Sequence, residues 1–387
     1  MVNLLKTAAV VAEYNPFHNG HAYQLAQTRS AGATHIVAVM SGNFVQRGEA
    51  ALFDKFLRAD IAVRNGADLV LELPLPWAVS GAQCFARGAV EIAGALGCVD
   101  MLSFGSECAD IDKLKAVADL IYSPVLEERI SQLLPGGASY AAVRQQAVYD
   151  IAGEAAAKLL ASPNSILALE YMAASKKSGF DFGFNAVARA GDGYNTVIPS
   201  GNGFASASAV RGLIKSGDDY SVYVPQTYPE DYADESKLDI AVLCSLRKLS
   251  TEEIASAPDI SEGLENRIYS AIREAVSVAD LLERIKTKRY PTARLRRIIL
   301  SLFLGIKASQ TELPPPYLRV LACNERGKEI LSFSKPALPV VSRASQLKKL
   351  EGRAGEIFSL ECQADDIHSL CFSPARECGL YFKNKVF

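Results

Sequence analysis

The stretch TAAVVAEYNPFHNGH, from Thr7 to His21, joins a run of small and β-branched residues to an abrupt turn. The run predicts a buried strand, and Asn15-Pro16 predicts its end, because the residue before a proline avoids helical backbone angles. Gly20 lets the backbone approach a ligand closely. A strand, a turn and the start of a helix in this order predict the first unit of a parallel α/β sheet.

Further strand-like segments follow, and helical patterns separate them. They are HIVAVMSG (35–42), DLVLELP (68–74), MLSFGSE (101–107) and DFGFNAVAR (181–189). This alternation continues through residues 1–217 and predicts an α/β fold with a parallel sheet. In such a sheet, ligands bind beyond the carboxyl ends of the strands.

The predicted domain boundaries follow from changes in composition. Residues 1–217 form the α/β domain, and residues 218–236, rich in Asp, Tyr and Pro without a helical period, are predicted to be a linker. Residues 237–387 form a C-terminal region. It is mainly helical in pattern up to residue 307 and ends in a small mixed strand–helix tail.

The composition excludes several classes of protein. The 387 residues are 49 % hydrophobic, and a net charge of −2 gives no general attraction to nucleic acid or membrane. No apolar run approaches the ~20 residues of a membrane helix. The 8 cysteines include no CxxC pair, so we expect reduced thiols in a cytoplasmic protein. The spacing of Cys362, His368, Cys371 and Cys378 fits no common zinc pattern, and no metal site is predicted.

His18 and His21 account for half of the 4 histidines in the chain. They lie around the start of the helix that follows the first strand, where free backbone amides favour anions. Imidazoles in that position can donate hydrogen bonds to a phosphate and stabilise the charge that develops on it. The alternative is a pair of surface histidines at an ordinary turn.

A second candidate phosphate motif occurs late in the α/β domain, in FASASAVRGLI. It contains Ser206, Ser208 and Arg211, whose hydroxyls and guanidinium at a helix start could clamp β- and γ-phosphates. Alone, this stretch would be an N-capped helix. Together with HNGH, it resembles the HIGH-type nucleotidyltransferases, which transfer the AMP or CMP of a nucleoside triphosphate. The resemblance implies catalytic roles for His18, His21 and Arg211.

Six ordered motifs extend the resemblance to a narrower family. AEYNPFHNGH, VMSGNFVQRGE, GADLVLELP, SFGSE, SPNSILALEY and RYPTARLRRIIL resemble the bacterial tRNA(Met) cytidine acetate ligases, from about Val10 to Leu321. The resemblance implies a Rossmann-like nucleotidyltransferase domain followed by a tRNA-binding C-terminal region. It also implies that ATP activates acetate to acetyl-adenylate, which acetylates the exocyclic amine of the wobble cytidine in elongator tRNA(Met). This chain departs from the family at Ala50, where proline is usual, and at Ser165, where asparagine is frequent.

The resemblance also assigns ATP-binding residues. Besides Ser206 and Ser208, the implied positions are Gly105, Asn164 and Arg189, together with the stretch Val11, Ala12, Glu13, Tyr14, Asn15, Pro16, Phe17, His18, Asn19, Gly20, His21, Ala22, Tyr23 and Gln24. A side chain at Gly105 would collide with a flat base or ribose. Asn164 offers both a donor and an acceptor. Arg189 could reach a phosphate or the acyl-adenylate oxygen.

Basic residues are concentrated in ERIKTKRYPTARLRRIIL, within a chain that is slightly acidic overall. Cations neutralise phosphates, and Tyr290 could stack on an unpaired base. The alternative is an amphipathic helix that buries Leu295, Ile298 and Ile299 and leaves its charges solvated. We predict contact with tRNA. The residues predicted for it are Arg289, Arg294, Arg296 and Arg297, with Lys55 from the helix after SGNFVQRGEAALF, where a solvated face is the alternative.

A few other polar residues have two possible roles. Gln46 and Arg47, in a loop beyond the second strand, either line the site or are structural. Glu107 binds ribose hydroxyls or, as we favour, caps a helix that begins near Asp110. His35 opens the second strand and is predicted to be structural.

ATP is the predicted co-substrate, with Mg²⁺ carried by its phosphates. The other predicted partners are acetate and elongator methionine tRNA, and no membrane. One rival is a small-molecule nucleotidyltransferase that makes a dinucleotide cofactor or a CDP-alcohol. It leaves the helical region and the basic segment unexplained. The second rival is a non-catalytic RNA-binding protein that senses a nucleotide.

Overall fold

A computed structural model describes residues 5–134, 138–188, 203–261 and 263–379. Its strands are β1 Thr7–Ala12, β2 His35–Ser41, β3 Phe44–Val45, β4 Glu49–Ala50, β5 Leu69–Leu73, β6 Met101–Ser106, β7 Gly183–Ala188, β8 Leu318–Cys323 and β9 Val340–Val341.

Helices surround the strands and form most of the C-terminal region. They are α1 Asn19–Ser30, α2 Lys55–Arg64, α3 Leu75–Ala78, α4 Ala82–Ala95, α5 Ile111–Leu120, α6 Pro124–Leu133, α7 Tyr140–Leu159, α8 Pro163–Ser178, α9 Ala207–Ser216, α10 Asp239–Leu246, α11 Thr251–Ala255, α12 Leu264–Glu274, α13 Val278–Ile285, α14 Thr292–Leu304, α15 Glu325–Phe333, α16 Ala344–Leu347 and α17 Gly352–Ser369. Short 3₁₀ helices cover Ser221–Tyr223, Glu235–Leu238 and Ala308–Thr311.

The central sheet has the strand order β7-β6-β1-β2-β5-β8-β9. Strands β7, β6, β1, β2 and β5 are mutually parallel. Each lies inside one of the five stretches predicted as strands, so the predicted α/β fold with a parallel sheet is confirmed. β8 then pairs antiparallel with β5, and β9 pairs parallel with β8. The tail of the chain therefore completes the sheet that the first domain begins, while the boundaries at 217 and 237 stay a prediction.

The sheet is buried on both faces, as its nearly continuous apolar strands require. In β2, Val37 and Val39 join the core under α4 and α8, while Ile36 and Ala38 join the core under α1, α2 and α9. Alternate residues of a strand point to opposite faces, so one strand contributes to both cores. Three layers of secondary structure result.

The helices from α10 to α14 pack around a further core, to which α3 and α17 also contribute. Leu295, Ile298 and Ile299 of α14 are buried in it, as the apolar stripe of that helix predicts. Phe44 of β3 also belongs to this core, so the short hairpin β3–β4 reaches from the sheet to the helical region. No helix in the described ranges has both the length and the apolar character needed to cross a bilayer.

The segment predicted as a linker packs against the α/β domain. The ring of Tyr228 stacks on Phe53 with centroids 4.5 Å apart. Its hydroxyl donates to the backbone oxygen of Phe17 at 2.8 Å. Because Phe17 lies in the first turn, residues 218–236 support the geometry of that turn.

Lys55 is buried at the junction between the sheet and the C-terminal helix α17. Its Nζ lies 2.6 Å from Glu72 of β5 and 2.8 Å from Asp365 of α17. The side chain is 1 % exposed, so the prediction that Lys55 contacts tRNA is wrong. Neither it nor the buried Arg58 belongs to a solvated helix face. Tertiary contacts with distant carboxylates cause this burial, and no local pattern indicates it.

Candidate active site

A cavity of about 220 Å³ opens at the carboxyl ends of β1, β6 and β7, beside the N-termini of α1, α8 and α9. The residues that line it from the first strand, turn and helix are Val11, Ala12, Glu13, Tyr14, Asn15, His18, Gly20, His21, Tyr23 and Gln24. This is the position where an open parallel sheet binds its ligand. Pro16, Phe17, Asn19 and Ala22 of the same predicted stretch do not line the cavity.

The two histidines of HNGH cap helix α1. Nδ1 of His18 accepts from the backbone N–H of Gly20 at 3.0 Å, and Nδ1 of His21 accepts from the N–H of His18 at 3.2 Å. The rings stack with centroids 3.8 Å apart. An imidazole that accepts through Nδ1 is neutral and carries its proton on Nε2. The capping contacts therefore select the tautomer in which both Nε2 atoms are donors.

Two arginines, Arg58, which is buried, and Arg211, which is partly exposed, hold the turn that precedes these histidines. Arg58 donates through Nη1 to the backbone oxygen of Glu13 at 2.5 Å. Arg211 donates through Nη1 to the backbone oxygen of Asn15 at 2.6 Å. Tyr14, between them, has a positive φ of 48°. This conformation is uncommon for a residue with a side chain, and the two arginine contacts stabilise it.

Only part of the second candidate phosphate motif, FASASAVRGLI, lines the cavity. Ser206 lines the cavity and caps α9, its hydroxyl accepting from the N–H of Ala209 at 3.1 Å. Ser208 and Arg211 do not line the cavity. Ser208 accepts from Arg47 at 2.8 Å, and Arg211 pairs with Glu49 at 3.0 Å. Arg211 would have to exchange Glu49 for a phosphate to act on a nucleotide directly.

The residues predicted to contact the base or ribose of ATP come from other elements of the cavity wall. Gly105 of β6 and Asn164 of α8 both line the cavity. Nδ2 of Asn164 donates to Oε1 of Glu107 at 2.7 Å, and Ser165 donates to Glu107 through its N–H and its hydroxyl. Arg189 lies outside the described residues.

Glu107 caps a different helix from the one predicted. Helix α5 is capped by Asp110 itself, whereas Glu107 accepts hydrogen bonds at the start of α8, far along the chain. Burial raises the pKa of Glu107, but the hydrogen bonds from Asn164 and Ser165 outweigh it, and the net pKa is lowered. Glu107 is therefore an anion that orients Asn164.

Sequence reasoning missed Tyr171 in the cavity wall and left Gln46 and Arg47 open between a site-lining and a structural role. Gln46 and Arg47 do line the cavity, as does Tyr171. Tyr171 lies seven residues after Asn164 in α8, and that spacing places both on one face of the helix. The spacing was a usable signal. Phe104, Val187 and Phe204 add apolar surface from three separate segments.

Glu13 contributes a carboxyl group to the cavity. Burial raises its pKa, and the charge of Glu49 acts in the same direction. The cations Arg47 and Arg211 and a backbone hydrogen bond from Gln46 oppose that shift without cancelling it.

Arg296 and Arg297 of α14 reach the hairpin of the α/β domain, whereas Arg294 contacts the helical region. Arg296 pairs with Glu235 at 2.8 Å and lies 3.9 Å from Glu49, while Arg294 donates to the backbone oxygen of Asp259 at 2.6 Å. Arg297 is mostly buried, and burial lowers its pKa. A Cβ at Gly48, whose φ is +74°, would lie 2.7 Å from the backbone N of Arg297. The loop between β3 and β4 is thus in close contact with the start of α14.

Two aromatic and basic side chains of this segment differ in accessibility. Tyr290 is 8 % exposed and donates its hydroxyl to the backbone oxygen of Ser261, so it does not present a face to a base as predicted. Arg289 is exposed. Of the predicted tRNA contacts, Arg289 is the most accessible, and Arg294, Arg296 and Arg297 make contacts within the protein.

Comparison with known proteins covers the chain almost from end to end. The HIGH Nucleotidyl Transferase family model matches residues 5–379. A tRNA(Met) cytidine acetate ligase from Thermoanaerobacter sp. (strain X514) is 35 % identical over 394 residues, which cover 96 % of this chain and 97 % of the relative. The chain belongs to the tRNA(Met) cytidine acetate ligase family. A relative with the same name from Acetivibrio thermocellus is 34 % identical and covers 99 % of both chains.

Solved structures agree with this membership. The crystal structure of Thermotoga maritima TmcAL bound with alpha-thio ATP is 31 % identical, with a TM-score of 0.89 over 99 % of both chains. The apo form of the same protein gives a TM-score of 0.88 over 99 % of this chain and 97 % of that one. The predicted family and fold class are confirmed, whereas the roles of individual residues remain predictions.

Proposed function

We propose that this protein activates acetate with ATP and transfers the acetyl group to the exocyclic amine of the wobble cytidine in elongator tRNA(Met). The observation that carries the proposal is the cavity at the carboxyl ends of β1, β6 and β7, lined by both histidines of HNGH. It occurs in a chain that matches tRNA(Met) cytidine acetate ligases over almost its full length. The substrate, a tRNA, implies a cytoplasmic enzyme.

In the first step, a carboxylate oxygen of acetate attacks the α-phosphorus of ATP, and the bond to the bridging oxygen breaks to release pyrophosphate. The Nε2–H groups of His18 and His21 are donors suited to the charge that builds up on the departing phosphates. The N-termini of α1 and α9 add their backbone amides. Ser206, which caps α9 at the cavity wall, marks the second of these helix ends.

In the second step, the cytidine amine attacks the carbonyl carbon of acetyl-adenylate, and AMP leaves. No side chain of the protein has to act as a nucleophile. Among the described residues, no three carboxylate, histidine or cysteine side chains converge as a metal site would require. Mg²⁺ is accordingly proposed to enter with the phosphates of ATP, the usual route for this ion.

Labelled acetate, ATP and bulk tRNA test the proposal directly. Pyrophosphate exchange into ATP should require acetate and be weak with longer fatty acids, because the proposed acyl donor is a short carboxylate. Label should then pass to a cytidine of tRNA. Exchange that requires nicotinamide mononucleotide instead of acetate would favour a small-molecule nucleotidyltransferase. Binding of tRNA without any exchange would favour a non-catalytic sensor.

Replacement of Arg289 by alanine tests the proposed tRNA surface. The exposed guanidinium is expected to contact a backbone phosphate, so tRNA affinity should fall. The slope of log affinity against log salt concentration should become shallower by about one unit. Acetate-dependent pyrophosphate exchange should not change. Binding is measured across a salt series. Arg129→Ala, which removes a surface arginine paired with Asp150 on the α/β domain, is the matched control and should alter neither quantity. An unchanged slope in Arg289→Ala would locate the tRNA surface elsewhere.

A further inference from the structure

The second half of the proposed reaction releases a proton. When the cytidine amine forms a bond to the acetyl carbon, its nitrogen must lose one hydrogen to become an amide. A positioned base accelerates such a transfer. The described residues that line the cavity include only a few groups able to gain or lose a proton.

The histidines are poorly placed to accept this proton. Nδ1 of His18 and Nδ1 of His21 each already accept a backbone N–H, so Nε2 carries the proton in both neutral rings. Protonation of Nδ1 would break the capping contacts at the start of α1. Both imidazoles are therefore suited to donate.

The phenols and the guanidinium of the cavity are unsuited to act as the base. Burial raises the pKa of Tyr14 and of Tyr171 far above neutrality, so both keep their protons. Tyr23 is a third phenol, and the guanidinium of Arg47 carries donors and no acceptor.

Glu13 is the remaining group. It follows directly after β1 and lines the same cavity as the two histidines and Asn164. The charged and titratable groups that act on it come from four elements. These are Arg47 and Glu49 from the loop and hairpin after β2, Arg211 from α9, Tyr171 from α8 and Arg58 from α2. Burial makes its carboxylate more basic than an exposed one, as a general base requires.

We propose that the carboxylate of Glu13 is the general base of acetyl transfer. The amine nitrogen of cytidine forms a bond to the acetyl carbon, the bond between that carbon and the phosphate oxygen breaks, and AMP leaves with the electron pair. The proton of the attacking nitrogen passes to the Glu13 carboxylate and then to solvent. This role rests on the proposed function, since it requires acetyl-adenylate in the cavity.

Glu13→Gln separates the two half-reactions in the full-length enzyme. Acetate-dependent pyrophosphate exchange without tRNA is measured on the parent and the variant, and any loss of exchange gives the part of the effect that comes from ATP binding, because Glu13 lines the cavity. Enzyme loaded with ATP and labelled acetate is then mixed with tRNA in a single turnover. Transfer of label should be about a hundredfold slower than in the parent, the loss typical of a missing general base.

The pH profile gives a reading that a structural role would not produce. The rate of transfer by the parent should fall as the pH falls through the raised pKa of Glu13, since the carboxylate becomes protonated. This decrease is the acid limb of the pH profile, and Glu13→Gln should lack the limb. Glu13→Asp, which keeps a carboxylate, should retain the limb at a reduced rate. Glu49→Gln should move the limb to lower pH, because the charge of Glu49 raises the pKa of Glu13.

Several outcomes would overturn the assignment. Transfer by Glu13→Gln at the parent rate would exclude a base role. An equal loss of exchange and transfer would assign Glu13 to binding of the nucleotide or its metal. If Glu13→Gln does not fold, the pH profile of Glu13→Asp provides the test. A Glu13→Asp profile without the acid limb would also overturn the assignment. A parent enzyme that shows neither acetate-dependent exchange nor acetyl transfer would overturn the proposed function itself, and the base assignment with it.

Discussion

His21→Ala is expected to lower acetate-dependent pyrophosphate exchange by roughly two to three orders of magnitude, the loss typical of removing one donor to a developing charge. The Nδ1 atom of His21 accepts the N–H of His18, which leaves the proton on Nε2 in the neutral ring. The variant should still fold, because the lost hydrogen bond to the N–H of His18 contributes only about 0.5–1.5 kcal/mol of stability. Exchange of labelled pyrophosphate into ATP measures the effect, and thermal unfolding checks the fold.

His21→Asn is the matched variant for this experiment. The amide oxygen of asparagine occupies the position of the imidazole Nδ1 and can accept the same backbone N–H, but no donor remains at the Nε2 position. Its exchange rate should therefore be as low as that of the alanine variant, with stability closer to the parent. Near-parent exchange by His21→Asn would mean that His21 acts only as a helix cap.

Lys55→Met is expected to lower the free energy of unfolding by about 3–5 kcal/mol, the usual cost of removing one partner from a buried ion pair. The ammonium group lies within 3 Å of carboxylates from β5 and α17. Methionine has a similar length, so the loss comes from charge and not from a cavity. Urea unfolding of the parent and the variant measures the difference.

The matched control is Lys158→Met, which breaks an exposed pair with Glu154 and should leave the free energy of unfolding nearly unchanged.

Burial raises the pKa of Asp365 to about 6 and of Glu361 to about 8. These carboxyls favour folding when protonated, and this contribution is lost as the pH rises through their pKa values. The deficit of Lys55→Met should accordingly shrink in acid. If the urea concentration at the midpoint of unfolding is the same for Lys55→Met as for the parent, the buried pair does not stabilise the fold as proposed.

The central strands and the first turn were predictable because their signals are local. β1 and β2 are continuous runs of small and β-branched residues, and Asn15-Pro16 ends the first run. The carboxyl ends of parallel strands meet at one edge, so HNGH had to lie at a cavity there. The stripe of Leu295, Ile298 and Ile299 likewise predicted which face of α14 is buried.

The partners of charged side chains were not predictable in this way. Lys55 and Arg58 follow Asp54 in a helix that could equally have been solvated. Lys55 finds Asp365 on a helix near the end of the chain, and this contact decides its burial. Glu107 caps α8 in preference to the helix that follows it directly.

The sequence by itself determined the order of the parallel strands along the chain, the position of the histidine turn and the family. Each of these depends on residues a few positions apart, or on motifs that keep their order. Tertiary structure alone decided that β8 completes the sheet beside β5, that Lys55 is buried and that Arg296 lies between Glu235 and Glu49. Exposure and ion pairing depend on which distant segments meet, because the free energy of a charged group depends on its surroundings and not on its neighbours in sequence.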